Sequence, residues 1–231
     1  MARVELQGIR VVVLDMDNCL IIEQETRTGP EEIKDGAWKI IFDDFPEADL
    51  TEVIEKVKRE IAGGKGDRWD IVRKVLAVFS GGKKVSEEMV RERVDRFGRM
   101  VREGSLKIGV PEEHRKMLRK WQEGGFRLAI NTATPRSEAA EILEGLGVLG
   151  YFRSVHGRPE TKVDGLRAIL NEETAKPKEV VFVGDQDGDW LAAKEIGCWF
   201  VGMLTRRNSK WDNDEEEFSK IKSLAELDVG K

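Results

Sequence analysis

The sequence predicts an α/β protein: a doubly wound parallel sheet with a helical domain inserted behind its first strand. Three observations carry this expectation. Near-continuous apolar runs of strand length alternate with helical patterns. The stretch 23–104 holds four helical patterns and no strand-like run. The apolar runs end in polar residues at their carboxyl side, where doubly wound sheets bind ligands.

The elements follow in order. Ile9 to Leu14 is a β-branched run ending at Asp15; a continuous apolar run of this length fits a strand buried on both faces. Phe126 to Ile130 runs into Asn131-Thr132, Glu179 to Val183 runs into Gly184-Asp185, and Cys198 to Met203 is the last. Tyr151 to Val155 is a weaker fifth strand. Between them, Pro111 to Glu123 opens on a proline suited to a first helical turn and stops at Gly124-Gly125. Pro135 to Leu146, Lys162 to Leu170 and Asp187 to Ile196 are further helices. In the insertion, Ile33, Ala37, Ile40 and Ile41 mark a first helix, and Leu50, Val53, Ile54, Val57 and Ile61 a second. Trp69, Val72, Val75, Leu76 and Phe79 mark a third, and Val90, Val94, Phe97 and Val101 a fourth. Glycine pairs at 63–64 and 81–82 separate them. The expected organisation is a core formed by 1–22 and 105–231 and a helical domain over 23–104.

Composition excludes several classes. The chain has 231 residues, 40% of them apolar and 36% charged, with 44 acids against 39 bases. A net charge of −5 disfavours sequence-independent nucleic-acid binding, which needs a basic face. No apolar stretch reaches the roughly 18 residues of a membrane helix. The first apolar run has the length of a strand rather than of a signal peptide. Cys19 and Cys198 stand in neither zinc nor CxxC spacing, so a reducing compartment, the cytoplasm, is expected. Monomer and dimer both fit the sequence.

The chemistry lies in a few acids. Strands of one sheet would bring Asp15-Met-Asp17, Asn131-Thr132 and Gly184-Asp185, with Asp187 and Asp189 just beyond, into one crevice. So many carboxylates call for a cation. Oxygen ligands without a nearby histidine favour Mg²⁺, which commonly pairs carboxylates with a substrate phosphate. Lys162 or Arg158 would supply a protein cation. Asp185-x-Asp187-x-Asp189 also has the opening spacing of a calcium loop, but its twelfth position is Ile196 rather than a bidentate glutamate. Asp187 fits a helix N-cap or a residue supporting the metal-binding acids from behind, Cys19 and Cys198 small packed residues, and His114 and His156 structural or surface positions. Trp38 and Trp69 fit the core of the helical domain.

These motifs resemble those of the haloacid dehalogenase (HAD) superfamily, in particular its capped, phosphoglycolate-phosphatase-like branch. All four motifs stand in the family's order: Asp15-Met-Asp17-Asn-Cys-Leu20, Leu128-Ala-Ile-Asn-Thr132-Ala-Thr-Pro135, Lys162 at a helix start, and Gly184-Asp185-Gln-Asp187-Gly-Asp189. The resemblance implies a Rossmann-like core with 23–104 as its cap. The implied activity is Mg²⁺-dependent phosphomonoester hydrolysis through an aspartyl-phosphate, acting on a small phosphorylated metabolite.

It implies Asp15 as nucleophile, Asp17 as general acid and then base, and Thr132 and Lys162 as ligands of the phosphoryl group. It makes Asp15, Asp185, Asp189 and the main-chain carbonyl of Asp17 the metal ligands. Asn131, Ala133 and, in the cap segment Lys65-Gly-Asp-Arg68, Arg68 are expected at the substrate. Asn18 and Cys19 stand where the family usually has glycine and threonine. A phosphomutase shares Asp15 and Asp17. A non-enzymatic phospho-receiver shares an Asp, a Thr and a Lys on a doubly wound sheet, in another order and without a helical insertion.

Overall fold

The computed structural model describes residues 4–24, 28–61, 66–81, 84–212 and 217–230. Lys65, the glycines at 63, 64 and 82, and most of the acidic run at 212–217 lie outside them. The chain divides into two units, Met1–Gly29 with Ile108–Lys231, and Pro30–Lys107.

The first unit carries a six-stranded parallel sheet. In chain order its strands and those of a small partner sheet are β1 (Val4–Leu6), β2 (Val11–Leu14), β3 (Arg127–Pro135), β4 (Ser154–Arg158), β5 (Val180–Gly184), β6 (Trp199–Met203), β7 (Ser219–Ile221) and β8 (Leu227–Val229). The large sheet has the order β4-β3-β2-β5-β6-β7, and β1 pairs with β8 in parallel. β2 sits at its centre with every residue buried, as its apolar run demands. The chain leaves β2 toward β3 on one side and returns to β5 on the other, so the reversal of strand order falls beside β2. Leu14 is level with Ile130 on β3 and with Val183 on β5. The residues that follow these three therefore emerge together.

Four helices flank this sheet: α5 (Glu112–Glu123), α6 (Arg136–Gly145), α7 (Lys162–Glu172) and α8 (Asp187–Ile196). Leu118, Trp121, Ile142 and Leu143 pack on one face with Leu14 and Ile130. Leu166, Ile169, Ala192 and Ala193 pack on the other with Val13 and Phe182. The membrane expectation agrees with the helices: among the described residues none is long and apolar enough to cross a bilayer.

Among its described residues the second unit has helices and no strand: α1 (Pro30–Ile41), α2 (Glu47–Ile61), α3 (Arg68–Phe79) and α4 (Glu87–Ile108), the last ending one residue into the first unit. Its apolar faces bury Trp38, Phe42, Ile54, Val72, Val75, Val94 and Phe97, with the Trp38 and Phe97 rings 4.1 Å apart. Trp69 packs half-buried against the same cluster. The Asp67 side chain accepts from the backbone N–H groups of Trp69 and Asp70 at the start of α3, a cap worth about 1 kcal/mol.

Three differences from the sequence expectations stand out. β3 continues through Asn131-Thr132 to Pro135, because β4 pairs with it as far as Pro135 opposite Arg158. β1, β7 and β8 were not expected; each has three residues, too few to show a period. Asp187 is not the N-cap of α8: Gln186 occupies that place and Asp187 begins the helix, exposed, with Oδ1 accepting from Trp211 Nε1.

Candidate active site

At the carboxyl edge of the sheet, Asp15 follows β2 directly, and its backbone N–H donates to the carbonyl of Val183 on β5. Asp185 follows β5, and Asp189 lies in the first turn of α8. Side-chain oxygens of Asp15, Asp185 and Asp189 lie within 4.8 Å of one another, and all three residues are buried. Gly184 permits this, because a Cβ there would stand 2.5 Å from the Asp189 Cβ.

Lys162 enters the cluster from the first turn of α7. Thr161 caps that helix, its Oγ1 accepting from Asp164 N–H at 3.1 Å. The Lys162 Nζ lies 2.8 Å from Asp15 Oδ1 and 2.7 Å from Asp189 Oδ1. It also donates to the Asn131 carbonyl at 2.8 Å. Asn131 returns the bond, its Nδ2 donating to the Lys162 carbonyl at 2.8 Å. α7 approaches this closely because Gly165 has no side chain; a Cβ would lie 2.4 Å from Asn131 Oδ1. The cation that reaches Asp15 is thus Lys162, while Arg158 ends β4.

The charges do not balance, and the titration behaviour follows. Burial raises the Asp15 carboxyl to about 6, with Asp189 and Asp17 adding to the rise and Lys162 opposing it. Asp185 rises further, to about 8, through burial and the Asp15 and Asp189 charges. Burial works against the charge of Lys162, but Asp15 and Asp189 outweigh it and hold the ammonium above its usual range. Burial, with the charges of Asp15, Asp185 and Asp189 adding to it, pushes the Cys19 thiol well above its usual range, which disfavours the thiolate a nucleophile needs.

The turn after Asp15 explains the two unusual residues there. Asn18 has φ 58°, in the left-handed region where glycine is favoured and asparagine is the best-tolerated alternative. Its Nδ2 donates to Asp185 Oδ2 at 3.1 Å. The Cys19 thiol donates to the Val183 carbonyl at 3.2 Å. Asn208, in the segment after β6, donates to the carbonyls of Asp185 and Met203, each at 2.8 Å.

Asp17 stands outside the carboxylate cluster. Its Oδ2 accepts from Thr134 Oγ1 at 3.3 Å, so a metal role for Asp17 rests on its main-chain carbonyl. Thr132 is buried, and its Oγ1 accepts from the Thr134 N–H at 3.2 Å, which leaves its own hydroxyl hydrogen to donate elsewhere. Ala133 between them is exposed. Arg68 belongs to the helical unit, at the start of α3, with its guanidinium 5.2 Å from the centre of the Phe97 ring. Both histidines are buried. His114 bridges the Leu20 carbonyl and the Leu224 N–H, and His156 lies between Glu160 and Glu172.

Three contributors escaped the sequence reading: Asn18 as a donor, Thr134 and Asn208. Thr134 had a signal, since Thr132 and Thr134 are two apart in an extended segment and so share a face. Asn208 had none.

The site suits a hard cation. Asp185 Oδ1 is buried without a hydrogen-bond partner among the described residues, an arrangement that is costly unless a ligand completes it. Every side-chain donor in the cluster is a carboxylate oxygen, the ligand type that Mg²⁺ and Ca²⁺ prefer.

An aspartate-rich edge with one buried lysine, at the reversal point of a doubly wound sheet, is the layout of an enzyme centre rather than of a packing motif. The chain belongs to the haloacid dehalogenase-like hydrolases, whose family model matches residues 9–197. It is 27% identical over 195 residues to a phosphoglycolate phosphatase of Pasteurella multocida, covering 79% of this chain and 87% of that protein. To the phosphoglycolate phosphatase of Vibrio parahaemolyticus it is 34% identical over 94 residues, which is 38% of this chain and 41% of the relative. The matched part thus spans about two-fifths of the Vibrio protein's length. Among solved structures, a protein described as a predicted phosphoglycolate phosphatase from Haemophilus somnus superposes with TM-score 0.65 at 19% identity, covering 94% of this chain and 96% of that one. A 2-haloacid dehalogenase from Pseudomonas syringae superposes almost as well, with TM-score 0.63 at 18% identity and coverage of 94% and 95%. The fold therefore hosts different chemistries, and the site has to decide between them.

Proposed function

We propose that the protein is a Mg²⁺-dependent phosphomonoesterase that works through an aspartyl-phosphate on Asp15. The observation that carries this reading is a single ammonium, Lys162, bound between Asp15 and Asp189 with the Asp185 carboxylate alongside. A phosphoryl group brings its own charge to such a centre, and both Lys162 and a divalent ion are suited to neutralise it. Asp15, Asp185, the Asp17 carbonyl and Asp189, directly or through water, would hold Mg²⁺, which would offset charge on the transferring phosphoryl oxygens.

The protein's own residues carry the steps. The Asp15 carboxylate attacks phosphorus as the ester P–O bond breaks, and Asp17 gives its proton to the departing alkoxide. Water then attacks the same phosphorus, Asp17 takes the water's proton, and the bond to Asp15 breaks to release inorganic phosphate and restore the carboxylate. The Thr132 hydroxyl donates to a phosphoryl oxygen. The Asn131 amide is engaged with Lys162, so its contribution to the substrate is the placement of that lysine. Ala133 contributes through its backbone. In this reading 23–104 is the cap domain and Arg68 a substrate-selecting residue in it. The substrate is a small phosphorylated metabolite in the cytoplasm. The named relatives make phosphoglycolate, a phosphorylated carboxylate, the first to try.

A panel of small phosphomonoesters, led by 2-phosphoglycolate and followed by phosphate release with and without Mg²⁺, tests the reading. Release is expected with Mg²⁺, loss on EDTA treatment, and return on adding Mg²⁺. An isomerised sugar phosphate in place of free phosphate would identify a mutase instead, and undiminished activity in EDTA would remove the metal from the mechanism.

A further inference from the structure

The left-handed turn at residue 18 does more than reverse the chain. Asn18 is 8% exposed, and its amide reaches across to Asp185, a residue far away in sequence. The N···O distance of 3.1 Å lies in the normal range for an amide donor. The contact fixes Asp185 Oδ2. Oδ1 of the same carboxylate is buried and has no hydrogen-bond partner among the described residues. The Asp185 backbone is held as well, by Asn208 at its carbonyl. One oxygen of Asp185 is therefore committed to the protein, and the other carries no hydrogen bond among the described residues.

That asymmetry has a consequence for the choice of cation. Ca²⁺ takes six to eight oxygens in flexible geometry and often binds a carboxylate through both of them, whereas Mg²⁺ demands a compact octahedron. We propose that Asn18 is a metal-selectivity residue: by holding Asp185 Oδ2 it makes Asp185 a one-oxygen ligand and so favours Mg²⁺ over Ca²⁺. The inference rests on the metal-dependent reading above but adds a residue and a property to it. Glycine at position 18 keeps the backbone conformation, because φ of 58° costs it nothing, and deletes only the amide.

The test is calorimetric titration of wild type and Asn18→Gly with Mg²⁺ and separately with Ca²⁺. The variant should bind Mg²⁺ about tenfold more weakly, the lower end of what loss of a ligand-orienting partner costs. Its Ca²⁺ affinity should be unchanged or higher, so the Mg²⁺-to-Ca²⁺ ratio falls at least tenfold. Cys19→Thr, which alters the neighbouring contact to Val183, should leave that ratio alone. A ratio preserved in Asn18→Gly overturns the inference, whether both affinities fall together or neither moves. Wild type that binds no Mg²⁺ overturns the metal reading itself, a different and recognisable result.

Discussion

The two edges of the large sheet are built from the same kinds of residue and behave in opposite ways. At the amino edge, Arg127 donates to the Glu173 carbonyl and pairs with its carboxylate at 3.0 Å. Arg153 lies 3.4 Å from the other oxygen of Glu173, and Arg10 pairs with Glu179 at 3.2 Å. Three arginines thus meet two glutamates. The backbone N–H of Lys176, with Arg10 helping, holds Glu179 below the usual carboxylate range. A cavity of about 470 Å³ opens there between Gly8, Arg10, Gly125, Arg127 and Glu179, and its charges are already matched within the protein. At the carboxyl edge, Asp15 and Asp189 share Lys162 with Asp185 beside them, and burial drives Asp15 and Asp185 up instead. Charge alone marks neither edge as functional. A satisfied network stabilises the fold, and an unsatisfied one is held open for a ligand.

Removing Lys162 from the unbalanced edge should have the largest effect. Lys162→Met is expected to lower kcat by roughly 10²–10³-fold or more, the scale of losing one charge-stabilising donor. Its Tm without metal should fall more at pH 8 than at pH 5, where Asp15 can protonate. A near-normal kcat would mean that the imbalance has no part in turnover.

Metal should complete the same edge. Asp15 at about 6 and Asp185 at about 8 lie above the ordinary 3.8, so the fold favours their protonated forms. The stability they contribute is complete below about pH 4 and is lost as the pH rises through 6 and then 8. Mg²⁺ binds the deprotonated ligands and should restore it. At a hundredfold excess over Kd the gain is about 2.7 kcal/mol, or roughly 5–10 °C in Tm for a chain of this length. The shift should be large at pH 8 and small at pH 5. Equal shifts at both pH values would argue against these carboxylates as the ligands.

The balanced edge gives the contrasting result. Glu173→Gln should cost about 1–3 kcal/mol of stability by weakening bonds to two arginines, with kcat and KM unchanged. A loss of turnover without a loss of stability would erase the distinction between the edges.

A finer effect belongs to Thr134. Thr134→Val should slow hydrolysis of alkyl phosphates about tenfold, a part of the roughly 10²–10⁴-fold that a general acid contributes. Hydrolysis of p-nitrophenyl phosphate, whose leaving group needs no proton, should change little, and Thr134→Ser should restore the rate. Equal losses on both substrates would detach Thr134 from Asp17.

Much of the site was legible because its chemistry sits at strand ends. β2, β5 and β6 are buried on both faces, so their apolar runs could be read directly, and the residues after them followed. Asp15, Asp185, Asp189 and Lys162 meet as the sheet topology implies. The partners that orient them were harder to see. Asn18 acts across 167 positions in sequence and Asn208 across 23, distances at which periodicity carries no signal. The polar Asn131-Thr132 hid the extension of β3, which depends on pairing with β4 rather than on local pattern. The three-residue strands β1, β7 and β8 are stabilised by what they pair with, not by their own composition.

The central claim is that Asp15 itself carries the phosphoryl group. The direct measurement is acid quench of the Mg²⁺-loaded protein during turnover of a phosphomonoester it hydrolyses, followed by mass spectrometry of the peptide containing Asp15. A phosphoryl adduct on Asp15 in wild type, absent from Asp15→Asn along with phosphate release, is the expected result. Wild-type turnover by Asp15→Asn, or an adduct on another residue, would contradict it.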